Sequence, residues 1–169
     1  MEVGDALRKR GIRAVLTGGA CASLYTKGLK TSHDADFVLT TETDVLALEA
    51  AMLSVGFKRR RDHYVHATAR FIVEFPSGPL GSGRDDKIRP VTRKRKALSA
   101  LALSATDSCR DRLAGYFHWN DLQGLRAAVQ IAAMNTVNMG RIKAWSREEG
   151  AAEKFDVFRQ TVRTARKQK

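Results

Sequence analysis

The stretches Leu16-Thr17-Gly18-Gly19-Ala20 and Asp34-Ala35-Asp36-Phe37 decide most of what this sequence predicts. The apolar residues before Gly18 indicate a strand, and the glycine pair indicates a tight turn into a helix. The second stretch is typical of a strand, in which alternate side chains share a face, so Asp34 and Asp36 point the same way. Two carboxylates on one face repel each other and need a cation or a proton between them.

A third carboxylate, Glu74, lies near the end of a predicted strand over residues 69–75, among apolar residues. An acidic side chain in such a setting needs a partner or an exposed edge. Mg²⁺ takes hard oxygen ligands and often joins carboxylates to substrate phosphates, and Mn²⁺ suits the same ligands. We therefore predict Asp34, Asp36 and Glu74 as catalytic residues and as ligands of Mg²⁺ or Mn²⁺, with Glu74 completing the site or acting as base.

The glycine pair adds a phosphate site to this prediction. Backbone N–H groups at a helix N-terminus attract anions, and Gly18 and Gly19 leave theirs uncovered. Two metals about 3.5–4 Å apart suit phosphoryl or nucleotidyl transfer, one activating a hydroxyl and the other steadying the leaving pyrophosphate. The competing interpretation is that Asp34 and Asp36 are solvent-facing strand residues and that the glycines form only a turn. The order of these features along the chain favours the metal site.

Strand and helix signals are mixed up to about residue 103, and only helix signals follow. This pattern predicts an α+β fold, with a small mixed sheet and helices followed by a helical C-terminal part. The predicted domains are a core over residues 1–103 and a helical subdomain over residues 104–169. The predicted helix N-caps are Thr41 or Thr43, then Thr106 or Asp107, then Asp121, and finally a capping box of Ser146 and Glu149 before the last helix.

The chain is strongly basic, with 30 lysines and arginines against 18 acidic residues and a net charge of +12. Clustered cations neutralise phosphates, so nucleic acid is the leading partner class, and a merely solvated basic surface is the alternative. No apolar run approaches the ~18 residues of a membrane span, and no secretory signal is present, so we expect a cytoplasmic protein with no membrane partner. The basic clusters are residues 58–61, residues 93–96 and a C-terminal group of Arg159, Arg163, Arg166, Lys167 and Lys169.

The same stretches carry a family resemblance. The sequence resembles the signature of the polymerase-β-type nucleotidyltransferase superfamily, and in particular a minimal bacterial group that includes the AbiEii-like toxins of abortive-infection and toxin–antitoxin systems. That signature has a Gly-Gly turn, an aromatic residue ending the next helix, a basic residue, a hydroxyl residue and two aspartates. A second segment, residues 106–121, resembles the helical region of bacterial relatives, and the likeness spans about residues 14–134. The matching residues are Gly18, Gly19, Tyr25, Lys30 (where arginine is usual), Ser32, Asp34 and Asp36.

The resemblance implies a reaction as well as a fold of a short mixed sheet followed by a helical bundle. A nucleoside monophosphate passes from a nucleoside triphosphate to a hydroxyl, and pyrophosphate is released. In AbiEii-like relatives the acceptor is RNA, notably the tRNA 3′ end, and a helical partner protein acts as antitoxin. The sequence therefore carries the expectation of an RNA partner, a cognate antitoxin and a part in phage defence.

The resemblance also implies a set of nucleotide-binding residues. The AbiEii-like toxins place a lysine on a later helix to hold the triphosphate, and an aspartate about a dozen residues further on. Here Arg110 or Arg112 would replace the lysine, and Asp121 would be the later acid. The expected nucleotide-binding residues are thus Gly18, Gly19, Lys30, Ser32, Arg110 and Arg112.

Two alternatives remain at this level. A non-catalytic module with the same fold would bind nucleic acid through its basic clusters alone, and a small hydroxyl acceptor such as an antibiotic would replace RNA. Trp119, at the end of a predicted helix, would either stack on a base or pack in the core, and its sequence context favours packing.

Overall fold

The computed structural model describes residues 1–29, 32–81, 85 and 88–168. These residues contain seven strands and seven helices. The strands are β1 (Ala14–Leu16), β2 (Asp34–Leu39), β3 (Phe57–Arg60), β4 (His63–His66), β5 (Ile72–Glu74), β6 (Val91–Arg95) and β7 (Leu98–Ala102). The helices are α1 (Glu2–Lys9), α2 (Gly18–Tyr25), α3 (Val45–Leu53), α4 (Ala105–Trp119), α5 (Leu122–Met134), α6 (Met139–Glu148) and α7 (Ala152–Lys167).

All seven strands form one mixed sheet in the order β3-β4-β5-β2-β1-β7-β6. The pairs β2–β5 and β1–β7 are parallel, and the other four are antiparallel. From Ala105 onward the regular elements are helices only, so the predicted α+β class with a helical C-terminal part is confirmed. None of the described helices is long and apolar enough to cross a membrane.

A single hydrophobic cluster joins the sheet to the C-terminal helices. Val15 and Val73 are fully buried in the central strands, while Leu113 of α4 and Phe158 of α7 are fully buried in the same cluster. Helix α2 packs on β2 on one side and on α4 on the other. This packing matters for function because it fixes the position of α4 relative to the β1–α2 turn.

Several predicted helix starts are wrong by a few residues. Asp44, not Thr41 or Thr43, caps α3 by accepting from the Leu46 and Ala47 N–H groups. Ser104, not Thr106 or Asp107, caps α4 by accepting from the Asp107 N–H. Several polar residues adjoin each start, and only the one just outside the first turn has the extended backbone of an N-cap. Asp121, as predicted, caps α5.

Helix α6 was not predicted, and the capping box assigned to Ser146 and Glu149 is wrong. Ser146 lies inside α6, where its Oγ donates to the Ile142 carbonyl at 2.7 Å. The N-cap of α6 is Asn138, whose Oδ1 accepts from the Arg141 N–H, and the last helix, α7, follows Ala151 without a side-chain cap. A serine in the middle of a helix commonly satisfies its hydroxyl this way, so its presence alone does not mark a helix start.

Candidate functional site

Asp34, Asp36 and Glu74 come together at the centre of the sheet. In the parallel pair β2–β5, Asp36 lies opposite Glu74. Asp34 is two residues before Asp36 and therefore lies on the same face, while the intervening Ala35 is buried on the other. One ligand oxygen from each of the three carboxylates lies within 4.8 Å of the others, a spacing that suits a shared cation. We refer to Asp34, Asp36 and Glu74 as the acidic triad.

The triad is electrostatically unfavourable without a counter-charge. Burial, followed by the charges of Asp34 and Glu74, raises the pKa of Asp36 to about 6. Arg112 acts in the opposite direction on the pKa of Asp36 but does not cancel these effects. Near neutral pH this centre therefore favours a bound cation, which would relieve the repulsion among its carboxylates.

The glycine turn packs directly against the triad. Gly18 has φ +65°, and a Cβ added there would overlap the Asp36 carboxylate. A Cβ on Gly19 would overlap the Ser32 side chain, whose Oγ donates to Asp34 Oδ1 at 2.5 Å. The Thr17 N–H also donates to the Asp36 carbonyl at 2.9 Å. Gly18 thus allows the β1–α2 turn to approach Asp36, and Gly19 allows it to approach Ser32, which binds Asp34.

Arg110 is placed where it cannot contact a nucleotide. Its side chain has no exposed surface, and its guanidinium donates to Asp107 at 3.0 Å and to Asp85 at 2.8 Å. The guanidinium also lies 4.9 Å from the centre of the Trp145 ring. We therefore withdraw Arg110 from the nucleotide-binding residues and assign it to the contact between α4, α6 and residue 85.

Arg112 lies on the side of α4 that faces the triad. Its side chain is 27% exposed and pairs with Asp111 at 2.9 Å. Both charges act on the pKa of Asp36, so they lie within electrostatic reach of the triad. Asp111 was not among the predicted site residues, although it lies within the second motif segment beside Arg112. Ser32 contacts the triad as described above, and Lys30 lies outside the described residues.

Asp121 has its predicted role as a helix cap, whereas Trp119 differs from the prediction. Asp121 Oδ1 accepts from the Gln123 N–H at 2.9 Å, so this oxygen caps α5. Trp119 does not pack in the core, because 77% of its surface is exposed. The other tryptophan, Trp145, is the one that packs in the core, where it stacks on Phe117 with 5.2 Å between ring centres. Trp119 and Asp121 instead line a cavity together with Arg112.

The basic clusters are divided between opposite edges of the sheet. Residues 58–60 belong to β3 and residues 93–95 to β6, the two outermost strands. Six strand spacings separate them, roughly 29 Å. Edge strands often carry lysine and arginine because these residues discourage pairing with other chains. These two clusters are therefore separate basic surfaces, and their positions on edge strands are consistent with protection of the sheet edges.

A second cavity, of about 640 Å³, adjoins Asp34 of the triad. Ser32 and Asp34 line part of it, and apolar residues of α1, α2 and the sheet form most of its wall. Its volume is within the range of small-molecule sites. A small hydroxyl acceptor therefore has room beside Asp34.

Fold and site together define a mixed α+β protein with an acidic centre between two parallel strands, against a glycine turn. In comparisons with known proteins, no family model and no curated protein matched the chain. The resemblance to polymerase-β-type nucleotidyltransferases therefore depends on the motif residues alone.

The raised pKa of Asp36 predicts an unusual pH dependence of stability. Below about pH 6 the folded protein binds a proton at Asp36 more readily than the unfolded chain does. The free energy of unfolding of metal-free protein should therefore fall as pH rises toward about 6, the opposite of the usual carboxylate effect. Asp36→Asn should remove this slope and raise the metal-free Tm at pH 7 by roughly 2–4 °C, the shift given by about 1 kcal/mol in a chain of this size.

The control for this experiment is Asp62→Asn. Asp62 is 90% exposed and hydrogen-bonds His63, which lowers the pKa of its carboxyl group. Its removal should leave the pH slope attributed to Asp36 in place. Thermal scans from pH 4 to pH 8 in EDTA would contradict the assignment if Asp36→Asn and wild type had parallel profiles.

Proposed function

We propose that this chain is a Mg²⁺-dependent nucleotidyltransferase similar to the polymerase-β-type enzymes. It would transfer a nucleoside monophosphate from a nucleoside triphosphate to a hydroxyl acceptor. The observation that supports this most is the acidic triad, three carboxylates on adjacent parallel strands with ligand oxygens within 4.8 Å. The glycine turn at the start of α2 lies directly beside them and adds the backbone N–H groups of a helix N-terminus, which bind phosphate.

The residues of the triad fit Mg²⁺ or Mn²⁺. They offer only carboxylate oxygens, the ligands that these hard cations prefer, and their mutual repulsion favours a cation over empty space. Asp34, Asp36 and Glu74 would hold the metal, which when bound lowers the pKa of a hydroxyl nucleophile and neutralises charge on the leaving pyrophosphate.

The chain's own groups have separate tasks in this proposal. Gly18 brings the start of α2 close to Asp36, and Gly19 brings it close to Ser32, so that the N–H groups of the first turn would bind a phosphate held by the triad's metal. Ser32 orients Asp34 through its hydrogen bond and keeps one carboxylate oxygen directed at the site. Arg112, which also forms an ion pair with Asp111, would add a positive charge on the α4 side of the triphosphate.

RNA is the acceptor class that the charge of +12 favours. On the β6 side, Arg93 lies 4.9 Å from the Tyr25 ring and Lys94 is exposed, so this cluster lies next to the C-terminal end of α2. A role as the toxin of a toxin–antitoxin or phage-defence pair belongs to the same proposal. Growth arrest on expression, relieved by a partner protein encoded beside it, would support that role.

The deciding experiment is a labelling assay. We would incubate the protein with each α-³²P nucleoside triphosphate, Mg²⁺ or Mn²⁺, and total bacterial RNA. Asp34→Asn/Asp36→Asn should lower label transfer at least about 1000-fold, since losing the metal removes several kcal/mol of transition-state stabilisation. Glu42→Gln/Asp62→Asn removes the same two charges from exposed positions and should transfer label like wild type.

The outcomes distinguish a nucleotidyltransferase from a non-catalytic nucleic-acid-binding module. Label in RNA that depends on the triad supports the enzyme and names its donor. Absence of label with every donor, together with salt-dependent RNA binding that survives Asp34→Asn/Asp36→Asn, would favour the non-catalytic binding module.

A further inference from the structure

An exposed tryptophan stands beside a polar cavity on α4. The cavity measures about 370 Å³, and its lining includes Arg112, Gly115, Trp119 and Asp121. Trp119 is 77% exposed, the most exposed large apolar side chain among the described residues. Flat aromatic ligands stack well on an indole, and an exposed indole beside a cavity can receive one.

The cavity extends along one face of α4 away from the triad. Arg112, Gly115 and Trp119 follow one another at helical spacings of three and four residues. Seven residues at 1.5 Å each place Trp119 about 10 Å along the axis from Arg112, a span that a ribose and its phosphates can bridge. Gly115 has no side chain, and the Asp121 side chain lies over it, between Arg112 and Trp119 in the cavity lining.

Asp121 supplies a hydrogen-bond acceptor at the tryptophan end. Its Oδ1 accepts from the Gln123 N–H, whereas Oδ2 lies between Gly115 and Gly124, 3.3 Å and 2.8 Å from where their Cβ atoms would stand. An ionised carboxylate only accepts hydrogen bonds, so Oδ2 favours a ligand that presents N–H groups. Aspartate recognises the amino group of cytosine in this way in nucleic-acid complexes.

We propose that Trp119 and Asp121 form a nucleobase site, in which the base stacks on the indole and donates its exocyclic amino group to Asp121 Oδ2. The inference rests on the proposed function to the extent that Arg112 and the triad would hold phosphates of the same nucleotide. The base belongs either to the donor triphosphate or to the terminal nucleotide of an RNA acceptor. In both cases adenine, cytosine and guanine bind better than uracil, whose single base donor, the ring N3–H, lies between two carbonyl groups that the Asp121 carboxylate repels.

Trp119 is itself the reporter that tests this inference. The chain has two tryptophans, and Trp145 is buried between Phe117 and Arg110, so an added ligand reaches only Trp119. With excitation at 295 nm, Mg²⁺ with ATP should quench the emission, Mg²⁺ with UTP should quench it less, and Mg²⁺ with tripolyphosphate should leave it unchanged. A short oligoribonucleotide ending in adenosine, with no triphosphate present, tests the acceptor source.

Matched variants separate stacking from polar recognition. Trp119→Ala should weaken ATP binding about tenfold, whereas Trp119→Phe keeps an aromatic face and should retain most of the affinity. Asp121→Asn preserves the helix cap, because asparagine caps as well as aspartate, but turns an amide N–H₂ toward the cavity. It should therefore reduce or abolish the preference for ATP over UTP.

The outcomes distinguish this inference from the proposed function. If Mg²⁺ with tripolyphosphate raises the Tm of wild type but not of Asp34→Asn/Asp36→Asn, binding of metal and phosphate at the acidic triad is supported. Unchanged Trp119 emission with every nucleotide and oligonucleotide would then overturn the nucleobase site alone. Equal binding of ATP and UTP in wild type would overturn the role of Asp121. Emission that changes with protein concentration only would mark a contact between copies of the chain and overturn the nucleobase site as well.

Discussion

Arg110→Met should lower the free energy of unfolding by about 3–5 kcal/mol, the cost of removing one partner from a buried ion pair. Among the described residues, Asp107, whose side chain is 1% exposed, would keep only Arg141 as a cationic partner, and Asp85 would lose its 2.8 Å contact. The Tm should fall by about 10 °C in a chain of this size. Chemical denaturation with urea would give the change in free energy directly.

Arg112→Met, the same change two residues further along α4, is the matched control. Arg112 is 27% exposed and pairs with Asp111 at the surface of the cavity, so Arg112→Met should cost less than about 1 kcal/mol of stability. It should weaken nucleotide binding instead, because it removes the cation near the triad. A stable Arg110→Met variant with impaired nucleotide binding would reverse the roles assigned to the two arginines.

Gly18→Ala should cut nucleotidyl transfer by about 100-fold or more, since displacing a reacting group by about 1 Å has that effect. The added methyl group would overlap the Asp36 carboxylate and push it out of the triad. The left-handed backbone at Gly18 adds about 1–2 kcal/mol of strain for any residue with a Cβ. Calorimetric titration with Mg²⁺ should show weaker binding in step with the loss of activity.

Gly11→Ala is the control that distinguishes backbone strain from steric overlap with Asp36. Gly11 has φ +73°, and a Cβ there meets nothing within 4 Å, so its substitution has the backbone cost without touching the triad. Gly11→Ala should lower the Tm through backbone strain alone, and so by less than Gly18→Ala does, while Mg²⁺ affinity and transfer stay at wild-type levels. Equal losses of activity in both variants would show that the close approach at Gly18 has no special role.

Local patterns in the sequence were sufficient to predict part of the fold and part of the candidate site. Strand periodicity alone placed Asp34 and Asp36 on one face, and the glycine pair marked the turn from β1 into α2. The α+β class and the change to helices after residue 103 followed from the same kind of short-range signal. These features depend on residues within a few positions of one another, which is why a single sequence can reveal them.

Contacts between distant residues decided the rest. Glu74 lies opposite Asp36 only because β2 and β5 pair in parallel with that register. Arg110 and Arg112 look equivalent in the sequence, yet positions two apart on a helix point about 200° from each other, so one is buried and one lines a cavity. Which of the two turns inward depends on Asp85, Arg141 and Trp145, and only the folded chain brings these residues to α4.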